Sequence, residues 1–472
     1  MKISGDTLSS FQKLDDAALW FTRKQNRLKR KFQIKFGSNS AAIPDLQFSN
    51  LTFLTTGTCD NISRYSVMAN RAIAIPTTID FVPHWGNFAS GHSWVAIVDD
   101  EGPLPFNLPI YLDTLGRYKR EENVVPKIYR ETFSFNKQSH VFKRGYCDFL
   151  PGCFNNAHII DVTNHYLETF NVDIPKTFKV TKSKFAYVAV VDKKRWIPVG
   201  WGDMKKSKAN FKDLTANCVY LPMSVTKNGM QAINRPFVIS ENGDIRYIKA
   251  DRTNLQTVIL ERKYPMRAHI ARYIDHMIKG QFQFADNSDF KNPTKVYTID
   301  KSPGVYYNEI PVRIKKKYRF VRYLGRNWSD CHVAEIAFYE KNNEEPLKGE
   351  VLSSPWNTGS NGPDKAFDGN DLTFVHIWQI EEPWVGLDLG KPKQISKIRF
   401  VSRNDKNHIV PGNFYELFYW DNQWISLGRQ TATSYKLVFE SVPSDCLFLL
   451  QNHTEGKEER IFTYENGEQV WW

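Results

Sequence analysis

From residue 159 onward, no apolar run in this 472-residue chain is long, and turn residues interrupt every one of them. Residues 178–191, 196–200 and 218–222 are β-like stretches. Lys193-Lys194 and the cluster Glu241-Asn242-Gly243-Asp244 separate them. Short strands punctuated by turns exclude a helical bundle and predict stacked antiparallel sheets. The last 150 or so residues, rich in Trp, Tyr and Phe with loops of Gly, Asn and Asp, predict a jelly roll. A helical patch at 266–277 interrupts the β pattern.

The front of the chain differs. Residues 14–32 have helical periodicity, with Ala17, Ala18, Trp20 and Phe21 on one face. A second helix is expected over 60–74, where Ile62, Tyr65, Ala69, Ala72 and Ile73 recur at helical spacing until Pro76 stops it. Strands are expected at 77–82, 93–98 and 109–112. The chain therefore divides into an α+β domain (1–157), a central β-sandwich (158–262), a connecting segment (263–314) and a jelly roll (315–472). That is within the two to four domains its length suggests.

Net charge is +12, with local basic runs at 23–35 and 313–319. No nucleic-acid motif accompanies them, so they are taken as solvated faces. No apolar stretch is long enough to span a bilayer. The first residues lack the apolar core of a secretory signal. The six cysteines form no CxxC pair, which argues against structural zinc. Cys147 and Cys153 are close enough in sequence for a local disulfide, and all but Cys59 otherwise suit small buried hydrophobes.

Cys59, in Gly57-Thr58-Cys59-Asp60, stands at the predicted start of a helix, where free N–H groups and the dipole favour a thiolate. His92, in Gly91-His92-Ser93-Trp94, opens the next strand but one. Asp113, in Tyr111-Leu112-Asp113-Thr114, ends a further strand. A thiol needs a base, and the base needs an orienting carboxylate. This order and context resemble the transglutaminase-like, papain-type core. The resemblance implies Cys59 as nucleophile, His92 as general base and acid, Asp113 as orienting carboxylate, and no catalytic cofactor. It places Trp94 and His84 at the substrate cleft. The His-to-Asp interval is longer than the family's usual one, and Asp99 and Asp100 lie nearer in sequence.

Near the other end, Ala366-Phe367-Asp368-Gly369-Asn370, Thr373 and residues 384–390 resemble a discoidin-type (coagulation factor 5/8 type C) domain. Residues 318–323 and 333–338 fit strands of the same family. The resemblance implies a structural Ca²⁺ held by Asp368, Thr373 and Glu459, although an Asp-Gly turn without an ion accounts for the same residues. It also implies a glycan-binding loop at Arg403, Asn404, Asp405 and Asn407, with Trp378 and Trp424 as stacking faces. Chains that join these two domain types are of the kind found in Bacteroides-like bacteria, secreted, periplasmic or on the cell surface. The expected function is cysteine-dependent acyl transfer on a protein or glycopeptide, tethered by a carbohydrate-binding module. The alternatives are an inactive glycan-binding or surface-binding protein and a peptide N-glycanase-like enzyme.

Overall fold

The computed structural model describes residues 58–99, 102–106, 123–143, 151–178, 183–226, 229–327, 331–355, 360–377, 381–455 and 458–472. The expected helix at 14–32, the basic run at 23–35, the strand at 109–112, Asp113, Cys147 and Trp378 lie outside them.

Helix α1 (Cys59–Arg71) begins where a capping box fixes it. The Thr58 hydroxyl accepts from the Asn61 N–H at 3.2 Å, and the Asn61 side chain accepts from the Thr58 N–H at 3.1 Å. Two of the first-turn donors are thereby satisfied reciprocally. The fully buried positions are Asn61, Ser63, Ser66, Val67 and Asn70, not the Ile62–Tyr65–Ala69 face read from periodicity. Small side chains let the helix sit close on the sheet beneath it. That sheet comprises β1 (Thr77–Val82), β2 (His92–Asp99), β3 (Gly102–Phe106), β4 (Tyr129–Glu131) and β5 (Ile159–Asp161) in the order β3-β2-β1-β4-β5. All neighbours are antiparallel, and β1 runs against β2 from Thr77↔Ile97 to Val82↔His92. Val67, Ile75, Ile79, Val95 and Ile97 form the core between helix and sheet.

The central region is one antiparallel sheet of eight strands, not the expected two-sheet sandwich. Its strand Phe170–Pro175 and its strand Phe237–Ile239 are far apart in the hydrogen-bonding order, yet Val172, Ile174, Phe237 and Ile239 share one core. The sheet therefore curls on itself, which buries one face without a second layer.

The remaining strands form two sandwiches where a single jelly roll was expected. The first stacks a five-stranded sheet on a four-stranded one around Phe282, Phe284, Tyr323, Phe338 and Phe400. Residues 263–314 are not a connector. Their strand Gln281–Ala285 pairs with Tyr318–Leu324, and Asn308–Pro311 pairs with Ile395–Ser402. Helix α2 (Ala268–Asp275) is the helical patch read from the sequence, buried through Ile270 and Ile274.

The second sandwich sets five of the six strands between Phe414 and Trp471 against a two-stranded ribbon that takes the sixth. That ribbon joins Asp251–Leu260, assigned by sequence to the central domain, with Leu437–Ser444. Val258, Leu260, Tyr415, Leu417, Phe448 and Phe462 are its core. The central sheet docks on it through Val191, Val219, Val238 and Ile248 against Phe418, Leu447, Leu449 and Ile461.

Candidate functional sites

Cys59 is half-buried at the first position of α1. His92 opens β2, the strand on which α1 packs. The Asp60 carboxylate in the first helical turn is close enough to favour the charged form of the His92 imidazole. Burial outweighs that attraction and holds the imidazole below its usual basicity. The ring is stacked between Trp85 (6.2 Å between centroids) and Trp94 (6.1 Å), and its Nε2 has no hydrogen-bond partner among the described residues.

A chain of polar contacts fixes this stack. The Trp94 indole donates to the Tyr166 hydroxyl at 3.3 Å, and that hydroxyl donates to Asp80. Asp80 is completely buried opposite Trp94 in the β1–β2 register and is held by Arg130. Trp94 is thus a packing residue, 2 % exposed, and does not contact substrate space as expected. His84 is likewise buried, its Nδ1 on the Trp85 carbonyl at 2.8 Å and its Nε2 3.9 Å from Asp192. It does not line the cleft beside His92.

That cleft has a volume of about 590 Å³ and draws its walls from distant parts of the chain. Trp85, Phe88 and His92 come from the front sheet, Tyr264 and Arg267 from the approach to α2, and Trp471 and Trp472 from the last strand. Arg460 ties these parts together. Wholly buried, it donates from Nε to the Trp472 carbonyl and from Nη1 to the Val191 carbonyl at 3.3 Å. Burial lowers its pKa to about 10.

The loop expected to bind glycan is mostly committed to internal bonds. Asp405 pairs with Arg262 at 2.6 Å. Asn407 accepts from the buried Lys263 at 2.7 Å and donates to Glu458 at 2.7 Å. Asn404 donates to the Asp371 and Ser402 carbonyls. Arg403 is half-buried, its guanidinium 4.1 Å from the Tyr273 ring and 3.8 Å from Phe374. Trp424 is an interface residue, donating to the Lys194 carbonyl at 3.1 Å and packing on Trp420.

Asp368 and Thr373 do meet, the hydroxyl lying 2.9 Å from the carboxylate. Glu459 does not join them. It accepts from the Asn452 N–H and lies among Lys263, Lys193 and Lys194. The carboxylate that approaches Asp368 is Glu335, which also accepts from the N–H groups of Gly369 and Asn370. Burial, and then the hydrogen bond to Asp368, raise the Glu335 carboxyl to about 7. Its signal in the sequence was an acidic residue inside the apolar strand Cys331–Glu340. Two carboxylates, a hydroxyl and the Asn370 carbonyl are hard oxygen donors of the kind Ca²⁺ takes, although no cluster of three acidic, histidine or cysteine side chains gathers here among the described residues. Lys365, 3.2 Å from Asp368, balances part of their charge.

Asp368 and Thr373 lie within residues 351–442, which match the F5/8 type C family model. The chain carries an F5/8 type C domain. Domains of this type are ligand-binding modules, commonly for carbohydrate or lipid, and occur in secreted or surface proteins. The match begins in the first sandwich and ends on the ribbon of the second, so the F5/8 segment spans both. No curated protein and no solved structure matches the chain significantly.

Proposed function

We propose that the chain is a thiol-dependent acyl-transfer enzyme held to its substrate by the F5/8 type C domain. The observation that carries this reading is that His92, which lines a cleft, feels the Asp60 carboxylate in the first turn of α1, the helix that Cys59 opens. In the proposed reaction the neutral imidazole takes the Cys59 proton and the sulfur bonds to an amide or ester carbonyl carbon. The oxyanion is stabilised at the free N–H groups of the helix start. The leaving amine or alcohol departs with the proton from His92. Water or an amine then attacks the thioester, and Cys59 regains its proton. The front domain is read here as the α+β papain-like core that the motif implies, with Asp113 as the orienting carboxylate. The aromatic walls of the cleft favour a substrate that bears carbohydrate, which keeps the peptide N-glycanase-like reaction within this reading.

The second reading is a ligand-binding protein without catalysis. It is favoured by the enclosure of His92 between two tryptophans, an arrangement that also suits a core histidine.

The rate of Cys59 alkylation by iodoacetamide against pH, followed by mass spectrometry of its peptide, separates the two. The catalytic reading expects labelling at pH 7 faster than an ordinary thiol, lost in His92→Ala. Slow labelling that rises only near the ordinary thiol pKa of about 8.5, equal in both proteins, overturns it.

A further inference from the structure

Where the two C-terminal sandwiches meet there is a second cleft of about 740 Å³, separate from the one beside His92. That volume lies in the range of roughly 300–1,000 Å³ usual for small-ligand pockets. Its lining includes Tyr306, from the first sandwich, and Tyr435, from the turn that leads into the ribbon of the second. The two rings stack at 4.5 Å between centroids with an interplanar angle of 23°. Tyr306 remains 42 % exposed.

His408 lies deeper in the same cleft, 6 % exposed, its ring 6.1 Å from Tyr435. Its Nδ1 is buried and has no hydrogen-bond partner among the described residues. A buried polar nitrogen without a partner costs on the order of 1–3 kcal/mol, and a ligand hydroxyl would relieve that cost. The charges around the cleft are matched internally. Lys436 pairs with Glu261 at 2.6 Å and Arg262 pairs with Asp405 at 2.6 Å. Asp275, at the end of α2, adds a carboxylate acceptor. Among the described residues that line the cleft, both cationic side chains, Arg262 and Lys436, are thus already paired.

A stacked tyrosine pair with Tyr306 exposed, a buried imidazole nitrogen without a partner and paired cations together suit a molecule with one apolar face and many hydroxyls. We propose that this seam is a binding site for an uncharged saccharide, stacked on the Tyr306–Tyr435 pair and hydrogen-bonded to His408. The proposal rests on the ligand-binding reading of the F5/8 type C domain and is independent of the thiol centre. It differs from the loop 403–407, whose polar side chains hold the protein together.

The test is calorimetric titration of the full chain with neutral oligosaccharides (maltotriose, cellotriose, mannotriose, chitotriose and N-acetyllactosamine) and with heparin as the acidic counterpart. At least one neutral sugar should bind, and Tyr306→Ala and Tyr435→Ala should each weaken it about tenfold, the loss of one aromatic stacking contact. Tyr306→Phe, which keeps the ring and the packing, should remain within about threefold. Neutral-sugar binding unchanged in both alanine variants overturns the site and leaves the domain's carbohydrate binding standing. Binding of heparin alone overturns the uncharged class, and binding of no sugar overturns the site and the carbohydrate reading together.

Discussion

Asp80 receives two parallel hydrogen bonds from Arg130, at 2.8 Å from Nε and 2.7 Å from Nη2, in the middle of the front sheet. The carboxylate is 0 % exposed and also accepts from Tyr166, so one buried ion pair sets the ring against which Trp94 packs edge-on, and His92 stacks on that indole. Asp80→Asn leaves the guanidinium without its counter-charge. Breaking a buried pair in this way costs about 3–5 kcal/mol. The expected result is a lower denaturation midpoint for the front domain, with Cys59 alkylation losing its dependence on His92.

Arg460→Met tests the tie between the last strand and the rest of the molecule. The substitution keeps a similar apolar volume but strands the Trp472 and Val191 carbonyls. At about 1–3 kcal/mol for each stranded buried acceptor, and less for the part-buried Trp472 carbonyl, the loss is about 2–5 kcal/mol. Chemical denaturation should show that loss, and tryptophan emission should shift to the red as Trp471 and Trp472 gain water.

The lowered basicity of His92 fixes the direction of a pH effect. The neutral imidazole is the form that accepts a proton, and burial extends its range below the ordinary value of 6.5. The acidic limb of Cys59 alkylation should therefore fall below pH 6.5, and Trp85→Ala, which admits water to the ring, should move that limb upward.

His408 gives a stability signature of its own. Burial first, then Arg262, lower its pKa from 6.5 to about 4. Above pH 6.5 the folded and unfolded chains are both neutral there, and the contribution to stability is intact. As the pH falls from 6.5 to about 4 the unfolded chain binds the proton first, so stability is lost across that window and levels off below it. The full loss is of the order of 3 kcal/mol, and His408→Gln should flatten that part of the pH profile measured by denaturant titration.

If Glu335, Asp368 and Thr373 hold Ca²⁺, the ion should raise the melting temperature and EDTA should reverse the rise. At a hundredfold excess over Kd the gain is about 2.7 kcal/mol. Glu335→Gln should abolish it, whereas Glu459→Gln should leave it in place. Equal loss in both variants would restore Glu459 as the third ligand.

Local chemistry was readable from the sequence where the signal is itself local. The Thr58–Asn61 pair starts α1 one residue before the expected position, and β1 occupies the expected 77–82. Tertiary partners were not readable. Asp405 and Asn407 look like any polar loop residues until Arg262, Lys263 and Glu458 close on them from distant strands. Glu335 was passed over because a strand motif masked the one carboxylate in it that turns inward to the Asp368 loop. The periodicity of α1 pointed to its larger side chains, while close approach to the sheet selected the small polar ones. Short strands announce their number in the sequence but not their pairing, so one jelly roll and two sandwiches read alike there.

The ribbon that joins Asp251–Leu260 to Leu437–Ser444 bears on how the protein is made. Gln256 and Pro443, which bond across it, are 187 residues apart. On the ribosome the earlier strand emerges long before its mate, with its backbone edge open while both sandwiches are still being synthesised. Translation speed and chaperone supply through that interval therefore govern the yield of correctly assembled chains. A expression strategy that halts after residue 262 or starts at 315 divides a single sheet between two polypeptides.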